Sequence, residues 1–241
     1  MGAVLEEEYH EQHLSMGDGV KAGLAIAIGY TPIAFTYGLL AKTAGLTLWE
    51  TVAMSIFVFA GASQYIALSM LAASTGAIEI LITTFIMNIR HLLMSASLNE
   101  RAEHDKKWIK AVYAFMVTDE TFAVATTRKE DKLSSGFLIG LGLIAYSSWI
   151  IFSGIGYLTG AGLPEVVQNS MGIALYAMFI GLLVPAAKKS RKVILLAATA
   201  ALLNIAFSQY EPLAGGWGII LSTLISAVFL ELLMGEEKKH A

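Results

Sequence analysis

The sequence predicts an all-α integral membrane protein with about seven transmembrane helices plus one re-entrant or tilted helical element, some of these helices being discontinuous. Three observations predict it. The 241 residues are 56% apolar and 15% charged, with mean hydropathy +0.65, whereas an ordinary soluble domain is about 25% charged. Seven apolar windows are long enough, at about 1.5 Å rise per residue, to cross a hydrocarbon layer of about 30 Å: 20–41, 50–73, 76–97, 136–158, 168–187, 193–209 and 214–234. The 22 glycines against four prolines suit membrane helices whose backbones approach closely.

Composition also excludes. With no cysteine there are no disulfides, thiolate nucleophiles or cysteine-ligated metals. A net charge of −3 gives no basic footprint for nucleic acid. The acidic segment 1–18 lacks the basic flank and short apolar core of a signal peptide, and is read as retained. Residues 19–241 are read as one polytopic membrane domain.

Span one carries Gly29, Tyr30, Thr31, Pro32, Phe35 and Gly38. Pro32 deletes a helical hydrogen bond, so the helix is expected to kink or unwind just before it. The freed backbone either faces a ligand or is a packing kink. Span two is interrupted by Gly61-Ala62-Ser63-Gln64, small residues with two hydrogen-bonding side chains. Unwound backbone at membrane depth survives only where protein or water satisfies it, so two broken neighbouring spans point to a binding site. A helix start exposed there favours a carboxylate through its free N–H groups.

Span three, the run Gly76 to Leu98, holds Asn88, Arg90 and His91 in otherwise apolar surroundings. An arginine near the bilayer centre costs about 2.5 to 3.5 kcal/mol on insertion scales, so it needs a wet cavity, a partner charge or a route to the interface. Thr84, Asn88, His91 and Ser95 are spaced four, three and four, which puts them on one helix face. Arg90 either snorkels or clamps a carboxylate with its planar fork. His91 is a proton carrier or a neutral helix-to-helix partner.

An eighth window, 109–126, has Asp119 and Glu120 adjacent at its middle. Adjacent carboxylates in a partly desolvated site do not both ionise cheaply, which suits a proton-coupled step. Thr118, Asp119 and Glu120 would equally cap a second half-helix starting there. Pairing of Arg90 with one of the two carboxylates follows as an expectation. Basic loops at 101–110, 128–132 and 188–192 read as cytoplasmic, so 109–126 must enter and return on one side. Counting back through three spans places the N-terminus outside, unless span two is itself a hairpin. The tripeptide AGL at 44–46 recurs at 161–163, an offset of 117. That suggests repeats over 19–126 and 136–234, inverted if an odd number of crossings separates them.

Four stretches in order, PIAF (Pro32 to Phe35), VFAGASQY (Val58 to Tyr65), TTFIMNIRHLLMSASL (Thr83 to Leu98) and TDETFAV (Thr118 to Val124), resemble the AzlC family of branched-chain amino acid permeases. Tyr65 stands where many relatives have Phe. The second half is mainly hydrophobic and adds little. The resemblance implies export of leucine, isoleucine, valine or analogues across a prokaryotic inner membrane. It also implies a large subunit working with a small AzlD-type membrane partner, as a secondary carrier without a cofactor. On that reading Pro32, Phe35, Gly61, Ser63, Gln64, Asn88 and Arg90 bind substrate, and Asp119, Glu120 and His91 couple protons. An uncoupled channel or facilitator is the alternative. An intramembrane enzyme on His91 and the carboxylates would lack any serine elbow, cysteine or metal motif. A purely structural subunit is the remaining reading.

Overall fold

The computed structural model describes residues 14–159, 190–210 and 216–235, with isolated positions between 160 and 189. Its regular structure is all helical: α1 (Met16–Thr43), α2 (Leu48–Phe57), α3 (Gly61–Ala72), α4 (Ala77–Arg101), α5 (Lys107–Phe115), α6 (Asp119–Thr126), α7 (Ser135–Thr159), α8 (Arg191–Ser208) and α9 (Gly216–Gly235). Four of these, α1, α4, α7 and α8, are long and apolar enough to cross a membrane. Most of the expected window 168–187, the acidic cluster Glu6 to Glu8 with His10 and His13, and most of the second AGL copy lie outside the described residues. The chain forms two compact units: Met1–Tyr30 with Arg90–Trp149, and Thr31–Ile89 with Ile150–Ala241.

In the first unit α1 begins with Ser15 and Asp18 cross-bonding, the Ser15 amide to Asp18 Oδ2 at 3.0 Å and the Asp18 amide to Ser15 Oγ at 3.3 Å. Such reciprocal bonds satisfy amides that a helix start leaves free. Here α1 and α7 run parallel at very close approach. A Cβ on Gly19 would lie 2.1 Å from the Phe137 carbonyl oxygen, and one on Gly140 would lie 2.2 Å from that of Met16. Glycine is required at these positions because backbone stands where a side chain would be.

Also in this unit, α5 and α6 form a hairpin along α4. Lys110 near the start of α5 donates to Asn99 Oδ1 at 2.7 Å, and Arg101 donates to the Thr126, Arg128 and Glu130 carbonyls at 2.8, 2.9 and 2.6 Å. Both ends of the hairpin thus sit at the C-terminal end of α4. The segment thus folds back on itself. Its tip, Met116 to Thr118, rests on α7, where a Cβ on Gly142 would come within 2.6 Å of Met116 Cβ.

In the second unit, α2 starts at a Thr47–Glu50 capping box and ends before Phe59, a non-glycine residue with φ of +40°. That left-handed backbone costs about 1–3 kcal/mol and forces the turn. Gln64 Nε2 on α3 then donates to Ser55 Oγ on α2 at 3.2 Å. Nine residues of straight helix would hold the two backbones about 13.5 Å apart. The chain therefore folds back: α2–α3 is a hairpin, and the expected through-crossing over 50–73 is corrected. Ser63 meets Asn88, so α3 runs antiparallel to the first half of α4.

Of the two outcomes expected at Pro32, unwinding does not occur, because α1 continues as helix on both sides of it. The helices α1 and α7 run parallel to one another. Further along, Lys192 pairs with Glu231 across an antiparallel α8–α9 pair, and Glu79 accepts from the Trp217 amide at 3.1 Å, capping α9.

Candidate functional site

The tip of the α5–α6 hairpin is where the first unit gathers its charge. Thr118 caps α6, its hydroxyl accepting from the Thr121 amide at 3.3 Å while its own amide donates to Thr121 Oγ1 at 2.7 Å. The cap fixes where the helix starts, and so which way its first two side chains point. They are Asp119 and Glu120, both half-buried.

These neighbours have different partners. Asp119 Oδ2 lies 2.8 Å from Arg90 Nη1 on α4. Glu120 Oε2 accepts from the Tyr30 hydroxyl at 2.5 Å, and that hydroxyl is also 2.8 Å from Thr118 Oγ1. Tyr30 is buried, its ring edge-on to Trp149 with centroids 5.3 Å apart. One turn earlier, the Ala27 carbonyl accepts from Ser148 at 2.7 Å, which fixes α1 against α7 beside the phenol. Arg90 Nε is buried and has no hydrogen-bond partner among the described residues. One arm of the guanidinium holds Asp119, and the partly exposed side chain has further N–H donors that suit an acceptor such as a carboxylate.

The second unit carries a chain of neutral polar groups. Gln64 donates to Ser55, whose Oγ donates to Ser153 Oγ on α7 at 2.9 Å. Ser63 Oγ donates to Asn88 Oδ1 at 2.6 Å, and the Tyr65 hydroxyl donates to the Ile33 carbonyl at 2.7 Å. Ser55, Ser63, Gln64, Tyr65 and Ser153 are all buried. Gly61 opens α3 after Ala60, which offers no side-chain cap.

A model of the family described as "AzlC protein" matches residues 25–163, more than half of the chain. The chain belongs to the AzlC family. It is 34% identical over 194 residues to the "Inner membrane protein YgaZ" of Escherichia coli K12, covering 78% of each chain. It is 31% identical to an "Uncharacterized membrane protein" of Archaeoglobus fulgidus, over 69% of this chain and 74% of the relative. It is 24% identical to the "Branched-chain amino acid transport protein AzlC" of Bacillus subtilis, over 70% and 66%. No solved structure matches.

The region shared with the AzlC family runs from within α1 to just beyond α7, and contains both polar clusters. Of the residues read from the sequence, Arg90, Asp119 and Glu120 come together, and the expected pairing is between Arg90 and Asp119. His91 follows Arg90 on α4, half-buried. Ser63 meets Asn88, while Gln64 turns to Ser55 instead. Pro32 is exposed, and the Phe35 carbonyl packs where a Cβ on Gly156 would stand, 2.0 Å away. Sequence reasoning passed over Ser55 and Ser153, gave Tyr30 no role, and read Arg101 only as a loop charge. A tyrosine in an apolar span was the one available signal, since serines are common in membrane helices and Arg101 reads as an ordinary end-of-span cation.

Proposed function

We propose that this AzlC-family chain is a secondary transporter that exports branched-chain amino acids by proton antiport across a prokaryotic inner membrane. It acts as the large subunit beside a small AzlD-type membrane partner. The observation that carries the proposal is the capped, re-entrant α5–α6 hairpin, which sets two carboxylates against an arginine and a phenol in an otherwise apolar helical chain. Charged groups at membrane depth are expensive, and they mark ion and substrate routes. The printed name of the Bacillus subtilis relative supports the substrate class.

On this reading Asp119, Glu120 and His91 serve proton coupling, and Arg90 offers its spare donor to the substrate carboxylate. In the second unit the substrate residues are Pro32, Phe35, Gly61, Ser63, Gln64 and Asn88, with the α3 start presenting backbone amides that no side chain caps. Exchange of one proton for one neutral zwitterion gains about 2.3 kcal/mol per 100 mV, enough for a roughly 50-fold gradient.

The test is efflux of labelled leucine, isoleucine and valine from preloaded vesicles containing the chain with its small partner, with and without an imposed proton gradient. Saturable, gradient-driven efflux is the expected result. Efflux indifferent to the gradient would replace coupling by facilitated passage, and efflux of none of the three would remove the substrate class.

A further inference from the structure

The two carboxylates at the hairpin tip are neighbours in sequence but not in chemistry. Asp119 has a cation 2.8 Å away, and the Arg90–Asp119 pair is neutral as it stands. Glu120 has no cation partner among the described residues; its contact is the hydroxyl of buried Tyr30. The titratable and charged groups at this tip are Tyr30 from α1, Arg90 from α4 paired with Asp119, His91 next to Arg90 in sequence, and Tyr146 from α7, edge-on to Phe115, with the uncharged Ser148 and Trp149 of α7 beside Tyr30. An anion with no counter-ion in a partly desolvated site is neutralised either by a proton or by an incoming cation.

We infer that Glu120, held in place by the Tyr30 hydroxyl, is the group at which a proton and the ammonium of the substrate exchange, while Asp119 is the standing counter-ion of Arg90. This rests on the transport reading above and narrows it from two carboxylates to one. It also adds Tyr30 as a positioning residue. In the exchange the Glu120 carboxyl O–H breaks, the proton leaves to water, and the carboxylate pairs with the ammonium. The substrate carboxylate takes an N–H donor of the Arg90 guanidinium, whose side chain is partly exposed. Proton and ammonium cannot occupy Glu120 together, and that exclusion is the coupling. Tyr30 suits both states, because a phenol donates to a carboxylate and to the carbonyl oxygen of a carboxylic acid alike.

The experiment is infrared difference spectroscopy of the full chain with its partner in lipid vesicles, reading the protonated-carboxyl C=O band that grows on acidification. It needs no substrate. In Glu120→Gln the band of the half-buried carboxyl should vanish; in Asp119→Asn it should persist. In Tyr30→Phe it should persist at higher wavenumber, because the carbonyl loses a hydrogen bond. A band lost in Asp119→Asn and kept in Glu120→Gln, or one indifferent to all three variants, overturns the assignment. Adding leucine to the protonated protein should bleach the band and release about one proton per site to a pH dye. A Glu120 band that leucine leaves unchanged, in vesicles that do export leucine, overturns the exchange. Vesicles that export none of the three amino acids while the band follows Glu120 would remove the substrate class and leave the carboxyl assignment standing.

Discussion

Replacing Gly38 with alanine puts a methyl group where α7 backbone already stands. A Cβ there would lie 2.0 Å from the Ser153 carbonyl oxygen and 2.6 Å from the Tyr157 amide nitrogen, where ordinary contact begins at 3.4 Å. The two backbones must part by about 1.4 Å. Neither clashing atom belongs to a flexible side chain that could swing away. Overpacking of this kind costs about 1–3 kcal/mol. Ser153 also closes the buried chain through Ser55 to Gln64 at 2.9 and 3.2 Å, and a shift of that size takes the Ser55–Ser153 bond beyond reach, adding about 1 kcal/mol. At about 2–4 °C per kcal/mol for a chain of this length, the melting temperature should fall by roughly 10 °C. Gly29→Ala on the same helix is the control, because nothing lies within 4 Å of its Cβ. Helix propensity should there leave stability unchanged or raise it by about 0.5–1 kcal/mol. The assay is thermal unfolding of the full chain in detergent by tryptophan fluorescence, at matched scan rates because such unfolding is scan-dependent. Equal melting of the two variants would refute the close α1–α7 approach.

Arg101→Gln removes the cation that gathers the Thr126, Arg128 and Glu130 carbonyls, and proteolysis in the 127–132 loop should accelerate several-fold. Arg101→Lys should not restore protection, because an ammonium lacks the planar fork that reaches three acceptors; full restoration would show that charge alone suffices. Thr118→Val should destabilise by about 1 kcal/mol through loss of the α6 cap, and Thr118→Ser should recover most of it; equal loss in both would point to packing of the methyl group. A double-mutant cycle of Ser63→Ala and Asn88→Ala should return a coupling of about 1 kcal/mol for their 2.6 Å hydrogen bond, measured by the same melting assay. A coupling near zero would mean the bond is not made in the membrane.

What the sequence determined by itself is the part that follows from local chemistry. Apolar runs with few charges dictate membrane helices, and the structure places helices over all the described windows. The fold-back of the 109–126 segment was readable because basic loops flank both its ends, and its break was readable because Thr118 precedes two carboxylates. The resemblance in four ordered stretches led to the AzlC family. The fold-back of α2–α3 was not legible: Gly61 to Gln64 marks a weak place, but the turn lies at Phe59, whose left-handed backbone no propensity predicts. At Pro32 the sequence left kinking and unwinding open, and the helix does not unwind, since it loses one bond at a proline and stays a helix when its neighbouring turns hold. The parallel course of α1 and α7 and their closeness both rest on glycines whose partners lie more than 100 residues away. The division of labour between Asp119 and Glu120 was likewise decided only in three dimensions. Consecutive residues on a helix point about 100° apart, so one carboxylate meets the arginine of α4 and the other the phenol of α1. No sequence spacing carries that information, because it resides in which helices stand on either side of the hairpin tip.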